Sequence, residues 1–315
     1  MAFLGGFGAW VPERIVTNEE LAGRIGCEAD WIFNVSGIRE RRYAEADATV
    51  ADLAVRAAED CLARAGAARA GIGMVIVSSG SGERRFPGPA AEVAMRLNLT
   101  GVPAIDLPMA SAGSLFAMAL AARLAAASGD VLVIAAEKMS PVVNCEPLDR
   151  NVAILFGDGA GACLVRATTG AAEIADTLLA SDGSFTDTLK LEFGQPLTMN
   201  GLSVILQAAR KIPKAIKDLL ARNKVEPRAV DVYLMHQANQ NLIAKVAREV
   251  GVEPAKFYSN IERYGNTSSA SMLIAASEWA ASVGFRGGPV VFGTFGAGFH
   301  WGALLALPVA GSGSI

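Results

Sequence analysis

A faint internal repeat restricts the possible folds of this chain more than any other feature of its sequence. Residues 71–134 and residues 229–293 follow the same order of predicted elements: strand, helix, short strand, long helix of small residues, strand. G-M-V-I-V-S in the first stretch corresponds to D-V-Y-L-M-H in the second, and V-P-A-I-D corresponds to E-P-A-K-F. The repeat predicts two similar α/β halves, which we place at 1–166 and 167–315.

Helices and strands alternate along both halves. Helices are predicted at 49–65, 88–97, 112–128, 203–222, 239–250 and 268–283. Strands are predicted at 73–78, 102–107, 130–136, 152–156, 160–166, 231–235, 289–293 and 302–307. Several of these strands are uninterrupted apolar runs, which is typical of sheets covered on both faces. We therefore predict the α/β class.

The repeat also predicts where a functional site lies. The two helices of small residues would lie together at the centre, with their N-terminal ends near Ser111 and near Asn266. His236 ends the strand D-V-Y-L-M, and ligands of α/β proteins usually bind at the carboxyl ends of strands. A serine, an imidazole and an amide at one place can perform acyl transfer.

Each of these three residues also has an ordinary structural explanation. Serine is among the preferred helix N-caps, and the segment around Ser111 by itself favours that explanation. A lone histidine such as His236 is more often structural than catalytic, and Asn266 can cap the helix that follows it. The nucleophile elbow G-x-S-x-G is incomplete, because Met109 occupies its first glycine position.

Charge and composition exclude several classes of protein. Lys plus Arg is 28 and Asp plus Glu is 31, a net charge of −3 that provides no field for nucleic acid or an anionic membrane. The hydrophobic fraction of 52% and the charged fraction of 19% exclude a disordered chain. Residues 287–315 lack charged side chains, but glycines and prolines divide them into strand-length pieces. The apolar start has no cation before Arg14, and we expect a first strand there and a cytoplasmic protein.

The cysteines and glycines provide no sign of a bound metal or cofactor. The four cysteines, with no C-x-x-C pair, are expected to be free thiols at Cys27, Cys61, Cys145 and Cys163. The run G-D-G-A-G-A (157–162) lacks the spacing G-x-G-x-x-G of a dinucleotide site. We expect it to serve close backbone packing inside a strand hairpin.

Several short motifs, in order and at matching spacing, resemble one known family over essentially the whole chain. They are T-N-E-E-L (17–21), D-W-I (30–32), S-G-I-R-E-R (36–41), F-G-D-G-A-G-A (156–162), H-Q-A-N (236–239), Y-G-N-T-S-S-A-S (264–271) and F-G-A-G-F-H-W-G (295–302). The chain resembles β-ketoacyl-acyl-carrier-protein synthase III, a condensing enzyme. The resemblance implies the thiolase fold, in which two α/β halves form an αβαβα layered structure.

The resemblance also implies catalytic roles. The family uses a Cys, His and Asn trio, and His236 and Asn266 occupy the last two positions. Ser111 stands where the family has its cysteine. An oxyanion hole is implied at the backbone N–H groups of Ser111 and Ala297.

Substrate contacts and partners follow from the same resemblance. Trp31 matches the aromatic residue that stacks on the adenine of coenzyme A, and Arg150 matches a further coenzyme A contact. Asn239 matches a pantetheine contact, and Gly201 is a further implied substrate contact. Phe86 matches a side chain that reaches into the neighbouring subunit of a homodimer. Acyl-coenzyme A or acyl carrier protein thioesters are the implied substrates, with no resident cofactor.

The chain departs from the family where the acyl donor is expected to bind. Val35 stands where an arginine usually clamps coenzyme A, and Leu206 and Asn241 replace basic residues that usually meet the carrier protein. These departures indicate a specialised relative in secondary metabolism. Other cations fall at helical spacing and predict a carrier-protein surface at Arg210, Lys211, Lys214 and Lys217, with a second pair at Lys245 and Arg248. A solvated helix face is an equally good explanation of this pattern.

Four hypotheses about activity remain open. The leading hypothesis is a serine acyltransferase that takes an acyl group from a thioester onto Ser111 and passes it to a malonyl thioester or to an oxygen or nitrogen nucleophile. In this hypothesis His236 removes the proton of Ser111, because a helix N-terminus cannot ionise an aliphatic hydroxyl. The second is a condensing enzyme inactivated by serine in place of cysteine, and the third is a non-catalytic partner subunit. The fourth, a serine hydrolase, is disfavoured by Met109 and by the lack of an evident acidic partner for His236.

Overall fold

A computed structural model describes residues 1–146 and 148–309 of the chain. The strands are β1 (Phe3–Trp10), β2 (Ile15–Thr17), β3 (Glu40–Arg42), β4 (Ile72–Ser78), β5 (Ala104–Leu107), β6 (Asp130–Glu137), β7 (Gly159–Arg166), β8 (Ala172–Ser181), β9 (Leu189–Lys190), β10 (Thr198–Met199), β11 (Val232–Met235), β12 (Phe257–Tyr258), β13 (Val290–Gly296) and β14 (His300–Pro308). The helices are α1 (Asn18–Ile25), α2 (Ala29–Ser36), α3 (Val50–Arg64), α4 (Pro89–Arg96), α5 (Gly113–Ser128), α6 (Ser140–Val143), α7 (Arg150–Ala153), α8 (Gly201–Arg222), α9 (Gln240–Val250), α10 (Ile261–Tyr264) and α11 (Ser271–Ser282).

The main sheet repeats one topology twice. Its strand order is β12-β11-β13-β14-β8-β1-β7-β6-β4-β5. Reading outward from the central β1–β8 pair, β1-β7-β6-β4-β5 mirrors β8-β14-β13-β11-β12. In each set the first pairings are antiparallel and the last two are parallel. The two α/β halves expected from the internal repeat are therefore present in the fold.

Alternation along the strands builds five layers. In β6, Val131, Val133 and Ala135 face a central core that also contains residues of α5 and α11. The intervening Leu132 and Ile134 face an outer core formed with α3 and α4. The same period of two in β11 and β13 separates the central core from an outer core formed with α8 and α9. The two five-stranded halves of this one sheet therefore enclose α5 and α11, with α3 and α4 outside one half and α8 and α9 outside the other, which confirms the αβαβα expectation.

Local sequence explains why the outer helices begin where they do. Thr49 and Asp52 form a reciprocal capping box at the start of α3, which satisfies free N–H groups of its first turn. Pro89 begins α4, where its missing N–H costs nothing. Helix α8 keeps one apolar face, including Ala208, Ile212 and Ile216, against the sheet. Among the described residues, no helix is both long enough and apolar enough to cross a membrane.

Two sequence predictions differ from the structure. Residues 152–156 are not a strand: α7 ends at Ala153, and Phe156 makes only an isolated parallel bridge with Asn266. The glycine run therefore does not lie in a hairpin, although its close packing is confirmed, since a Cβ on Gly161 would lie 2.6 Å from Leu273 Cβ.

Strand β8 was not predicted, because A-E-I-A-D-T-L-L-A-S lacks regular alternation and is held by pairing with β14. The division into 1–166 and 167–315 stays a prediction.

Candidate active site

Ser111 lies in the turn between β5 and α5 in a strained conformation. Its φ is 59°, in the left-handed region that non-glycine residues rarely adopt. Its N–H donates to Ser268 Oγ at 3.1 Å, and its carbonyl accepts from Thr294 Oγ1 at 3.2 Å. The N-cap of α5 is Ala112, with no side-chain capping bond, so the capping explanation of Ser111 is wrong.

His236 follows β11 and is held by Ser271, which begins α11. His236 Nδ1 lies 2.6 Å from Ser271 Oγ, and the same oxygen accepts the N–H of Gln237 at 3.0 Å. A hydroxyl oxygen can accept two bonds, but among the described residues the Ser271 hydroxyl has no acceptor other than His236 Nδ1, so we assign its single proton to that bond. The imidazole then carries its own proton on Nε2.

The charge of His236 is set by its burial. The side chain is 4% exposed, and desolvation lowers its pKa to about 4. The imidazole is therefore neutral near pH 7, with Nε2–H as a hydrogen-bond donor.

Asn266 is fixed by its backbone and by one side-chain bond. Its N–H donates to Leu155 O at 2.9 Å, and its carbonyl accepts the N–H of Gly157 at 3.1 Å. Its side-chain oxygen accepts the N–H of Ser268 at 2.9 Å, and its Nδ2 group has no acceptor within the described part of the chain. This bond closes a turn just before the short helix Ser268–Ala270, whose N-cap is Thr267, and α11 has Ala270 as its N-cap, so Asn266 caps neither helix.

A single cavity brings the three predicted residues together. Ser111, His236 and Asn266 all line it, as do Asn239 and Gly201. The rest of its wall is almost entirely apolar and includes Phe156, Met199, Val204, Ile205, Ala208, Ile212, Leu242 and Phe295. The convergence expected from the repeat is thus present, in a cavity suited to an apolar chain with a polar, reactive end.

Within the described ranges, no hydrogen bond from the Ser111 hydroxyl to another protein group is present. Gly296, at the end of β13, packs directly on this turn, since a Cβ there would lie 2.4 Å from Ala110 O. Ala297 follows it and is half-buried. The oxyanion role of the N–H groups of Ser111 and Ala297 stays a prediction, and the Ser111 N–H already has Ser268 Oγ as its acceptor.

Three other predicted contacts, Trp31, Arg150 and Phe86, are not among the residues that line this cavity. Arg150 places its guanidinium 5.3 Å from the centre of the Trp31 ring, and the pair joins α7 to α2. Asn239 caps α9 and donates to Val35 O at 2.7 Å, which ties α2 to the cavity wall. Phe86 is 85% exposed.

The donor-side departures have visible structural consequences. The Asn241 amide donates to Asn34 O at 3.1 Å, so it joins α9 to α2 instead of presenting a charge. Leu202 and Leu206 are exposed beside the cavity-lining Ile205. On the cationic face of α8, Lys211 pairs with Asp182 and Lys214 pairs with Asp218.

Three residues that organise this site, Glu137, Ser268 and Ser271, are not among those predicted from the sequence. Glu137 is fully buried at the end of β6, and Ser268 accepts the Ser111 N–H. Two signals were available. One was a carboxylate ending an apolar strand, and the other was the run of hydroxyls in N-T-S-S-A-S.

Comparison with known proteins agrees with this geometry. The family models described as 3-oxoacyl-[acyl-carrier-protein] synthase III and as its C-terminal part match residues 105–183 and 220–307. The β-ketoacyl-[acyl-carrier-protein] synthase III of Nitratidesulfovibrio vulgaris is 37% identical over 325 residues, covering 96% of this chain and 98% of that protein. The synthase III of Serratia proteamaculans is 35% identical, covering 95% and 97%.

Solved structures give the same result. The 3-oxoacyl-[acyl-carrier-protein] synthase III of Aquifex aeolicus superposes with a TM-score of 0.93 at 31% identity, covering 98% of this chain and all of that one. The priming β-ketosynthase of the R1128 polyketide biosynthetic pathway superposes with a TM-score of 0.89 at 30% identity, covering 98% and 96%. The chain has the thiolase fold and belongs to the β-ketoacyl-acyl-carrier-protein synthase III family of condensing enzymes.

Proposed function

We propose that this condensing enzyme accepts an acyl group from an acyl thioester on Ser111 and passes it to a malonyl thioester. The observation that carries the proposal is the shared cavity, in which Ser111, His236 and Asn266 meet at the polar end of an apolar space. An oxygen or nitrogen nucleophile is an alternative acceptor. The family membership supports condensation, and the likeness to a priming β-ketosynthase supports fatty-acid or polyketide chain initiation.

In the first half-reaction, the Ser111 oxygen forms a bond to the thioester carbonyl carbon and the carbon–sulfur bond breaks. The hydroxyl proton passes through His236 Nε2 to the leaving thiolate. His236 can accept a proton at Nε2 only if the imidazole carries its own proton on Nδ1. That Nδ1–H then donates to Ser271 Oγ, so the Ser271 hydroxyl must rotate and lose its own acceptor. A buried hydroxyl proton without an acceptor costs about 1–3 kcal/mol, and we expect slow acylation for that reason.

In the second half-reaction, the malonyl thioester loses CO2 and its carbonyl becomes an enolate. His236 Nε2–H and Asn266 Nδ2 are the donors placed to stabilise the enolate oxygen. The enolate carbon attacks the acyl ester, the bond to the Ser111 oxygen breaks, and solvent returns one proton to Ser111. The products are a β-ketoacyl thioester and CO2.

Partners and substrates of the enzyme belong to the same proposal. Coenzyme A or an acyl carrier protein delivers the acyl group as a substrate, and the enzyme needs no resident cofactor. Trp31, Arg150 and Asn239 contact the donor, and the N–H groups of Ser111 and Ala297 form the oxyanion hole. The Ser111 N–H is then shared as a three-centre donor between Ser268 Oγ, which holds the turn, and the oxyanion. The enzyme acts as a cytoplasmic homodimer in which Phe86 reaches into the partner subunit.

A second candidate is a condensing enzyme inactivated at residue 111. It would still convert a malonyl thioester to CO2 and an acetyl thioester, because that step uses only the donors of His236 and Asn266. The Nε2–H tautomer and the Ser111 hydroxyl without a hydrogen bond favour this candidate.

Intact-protein mass spectrometry after incubation with a panel of acyl thioesters tests both candidates. Four proteins are compared: the parent, Ser111→Ala, Ser111→Cys, and the double variant Ser111→Cys with His236→Ala. We expect an adduct on the parent, none on Ser111→Ala, and faster acylation of Ser111→Cys, since a helix N-terminus itself favours a thiolate. The acylation rate of the double variant should be little lower than that of Ser111→Cys, because a thiolate depends less on His236 as a base.

The outcomes separate the hypotheses. If Ser111→Cys is acylated and the parent is not, serine at position 111 is an inactivating replacement and the leading proposal is rejected. If neither the parent nor Ser111→Cys becomes acylated while both stay folded, a non-catalytic subunit is favoured. The adduct mass on an active parent identifies the acyl group.

A further inference from the structure

Glu137 is a buried carboxylate that the proposed reaction does not use directly. It has no exposed surface, and six donors converge on its two oxygens. The shortest bonds come from Ser81 Oγ and Ser269 Oγ, both at 2.6 Å, and Ser268 Oγ donates at 3.0 Å. The others are the Ser79 hydroxyl and the N–H groups of Gly80 and Ser269. Among the described residues no cation bonds to Glu137, and its partners there are hydroxyl and backbone donors.

Ser268 connects this carboxylate to two residues of the active site. Its hydroxyl accepts the N–H of Ser111 at 3.1 Å, and its own N–H donates to Asn266 Oδ1 at 2.9 Å. Its φ of 46° is in the left-handed region, which the surrounding bonds must hold. One buried residue therefore fixes the backbone of Ser111 and the side-chain amide of Asn266.

The direction of the bonds makes Glu137 necessary to this arrangement. A serine hydroxyl has one proton, and Ser268 gives it to Glu137 Oε1. The Ser268 oxygen therefore faces the Ser111 N–H with a lone pair. Without a carboxylate acceptor, that hydroxyl is free to turn, and the Ser111 turn loses its fixed partner.

We propose that Glu137 is a positioning residue which, through Ser268, fixes the Ser111 turn and the donor orientation of Asn266 in one arrangement. The proposal rests on the proposed function, because it assigns the arrangement to the acylation and condensation steps. Glu137 itself touches no substrate.

Two neighbouring serines provide a matched test. The hydroxyls of Ser268 and Ser269 both donate to Glu137 Oε1, and both residues are at most 1% exposed. Only Ser268 Oγ accepts the Ser111 N–H. A merely structural role for the cluster predicts similar effects of Ser268→Ala and Ser269→Ala, whereas positioning predicts a difference.

Two quantities are measured for Ser268→Ala and for Ser269→Ala, each made both in the parent and in Ser111→Cys. The first is hydrogen–deuterium exchange of the backbone amide of residue 111, which needs no activity. We expect Ser268→Ala to speed this exchange about tenfold, the value of one neutral hydrogen bond, and Ser269→Ala to leave it unchanged. The second is the acylation rate, which we expect to fall about tenfold or more in Ser268→Ala and about twofold or less in Ser269→Ala.

Glu137→Gln should reproduce the loss of acylation seen in Ser268→Ala, because the amide NH2 faces hydroxyl donors. If Glu137→Gln does not fold, the serine pair still decides the question. Equal effects of the two serine variants, or unchanged exchange of the residue 111 amide in Ser268→Ala, would overturn the proposal. If Ser111→Cys is acylated and the parent is not, acylation of serine is rejected but the positioning role of Glu137 is not. The serine variants made in Ser111→Cys then decide the positioning role.

Discussion

The depressed pKa of His236 makes the stability of the protein depend on pH in a way that one substitution can isolate. The pKa is about 4 in the folded protein, against 6.5 for an unperturbed imidazole, because the ring is desolvated. As the pH falls through 6.5, the unfolded chain binds a proton that the folded protein does not. The neutral ring therefore makes its full contribution to the free energy of unfolding above pH ~7, and this contribution is lost as the pH falls toward 4.

The magnitude follows from the size of the shift. A difference of 2.5 units, from 6.5 to about 4, corresponds to a total of about 3 kcal/mol. About 2 kcal/mol of this should already be lost between pH ~8 and pH ~5. His236→Gln removes the titrating group, so it should not show this part of the pH dependence.

Urea unfolding of the parent and of His236→Gln at pH ~8, ~6.5 and ~5 measures the difference directly. Other groups with shifted pKa values, including His300 and Glu137, are present in both proteins and cancel. A parent-minus-variant difference that stays constant from pH ~8 to pH ~5 would refute the reasoning. It would mean that the ring titrates normally, in contact with water.

Two further predictions concern surfaces. Arg210 and Lys217 make no ion pair with any described residue, so Arg210→Glu with Lys217→Glu should raise the apparent KM for a carrier-bound substrate and leave a small thioester mimic unaffected. The matched control is Lys214→Glu, whose cation is already paired with Asp218, and an equal loss with both substrates would contradict a docking role. Phe86 is 85% exposed, and we expect a dimer at micromolar concentration in sedimentation velocity that Phe86→Asp weakens. A fully active monomer would contradict this.

The strand predicted at 152–156 is wrong because residues far away in the chain decide the conformation of this segment. V-A-I-L-F (152–156) is a short apolar run, and such a run fits a strand as well as a buried turn of helix. Here the bridge from Phe156 to Asn266 and the bonds of Leu155 and Gly157 to the same residue decide the conformation. Those partners lie more than a hundred positions away in the chain.

The sequence by itself determined the two α/β halves and the meeting of Ser111, His236 and Asn266. Both results follow from periodicity and repetition, because equivalent strand ends and helix starts of two similar halves come to equivalent places. Only the tertiary structure decided how the site is held. Ser111 adopts its positive φ without capping α5, Ser271 holds His236 through its Nδ1 atom, and Ser268 joins Ser111 to Glu137. These bonds connect residues 35 to 157 positions apart, and their existence depends on side-chain directions that no local pattern specifies.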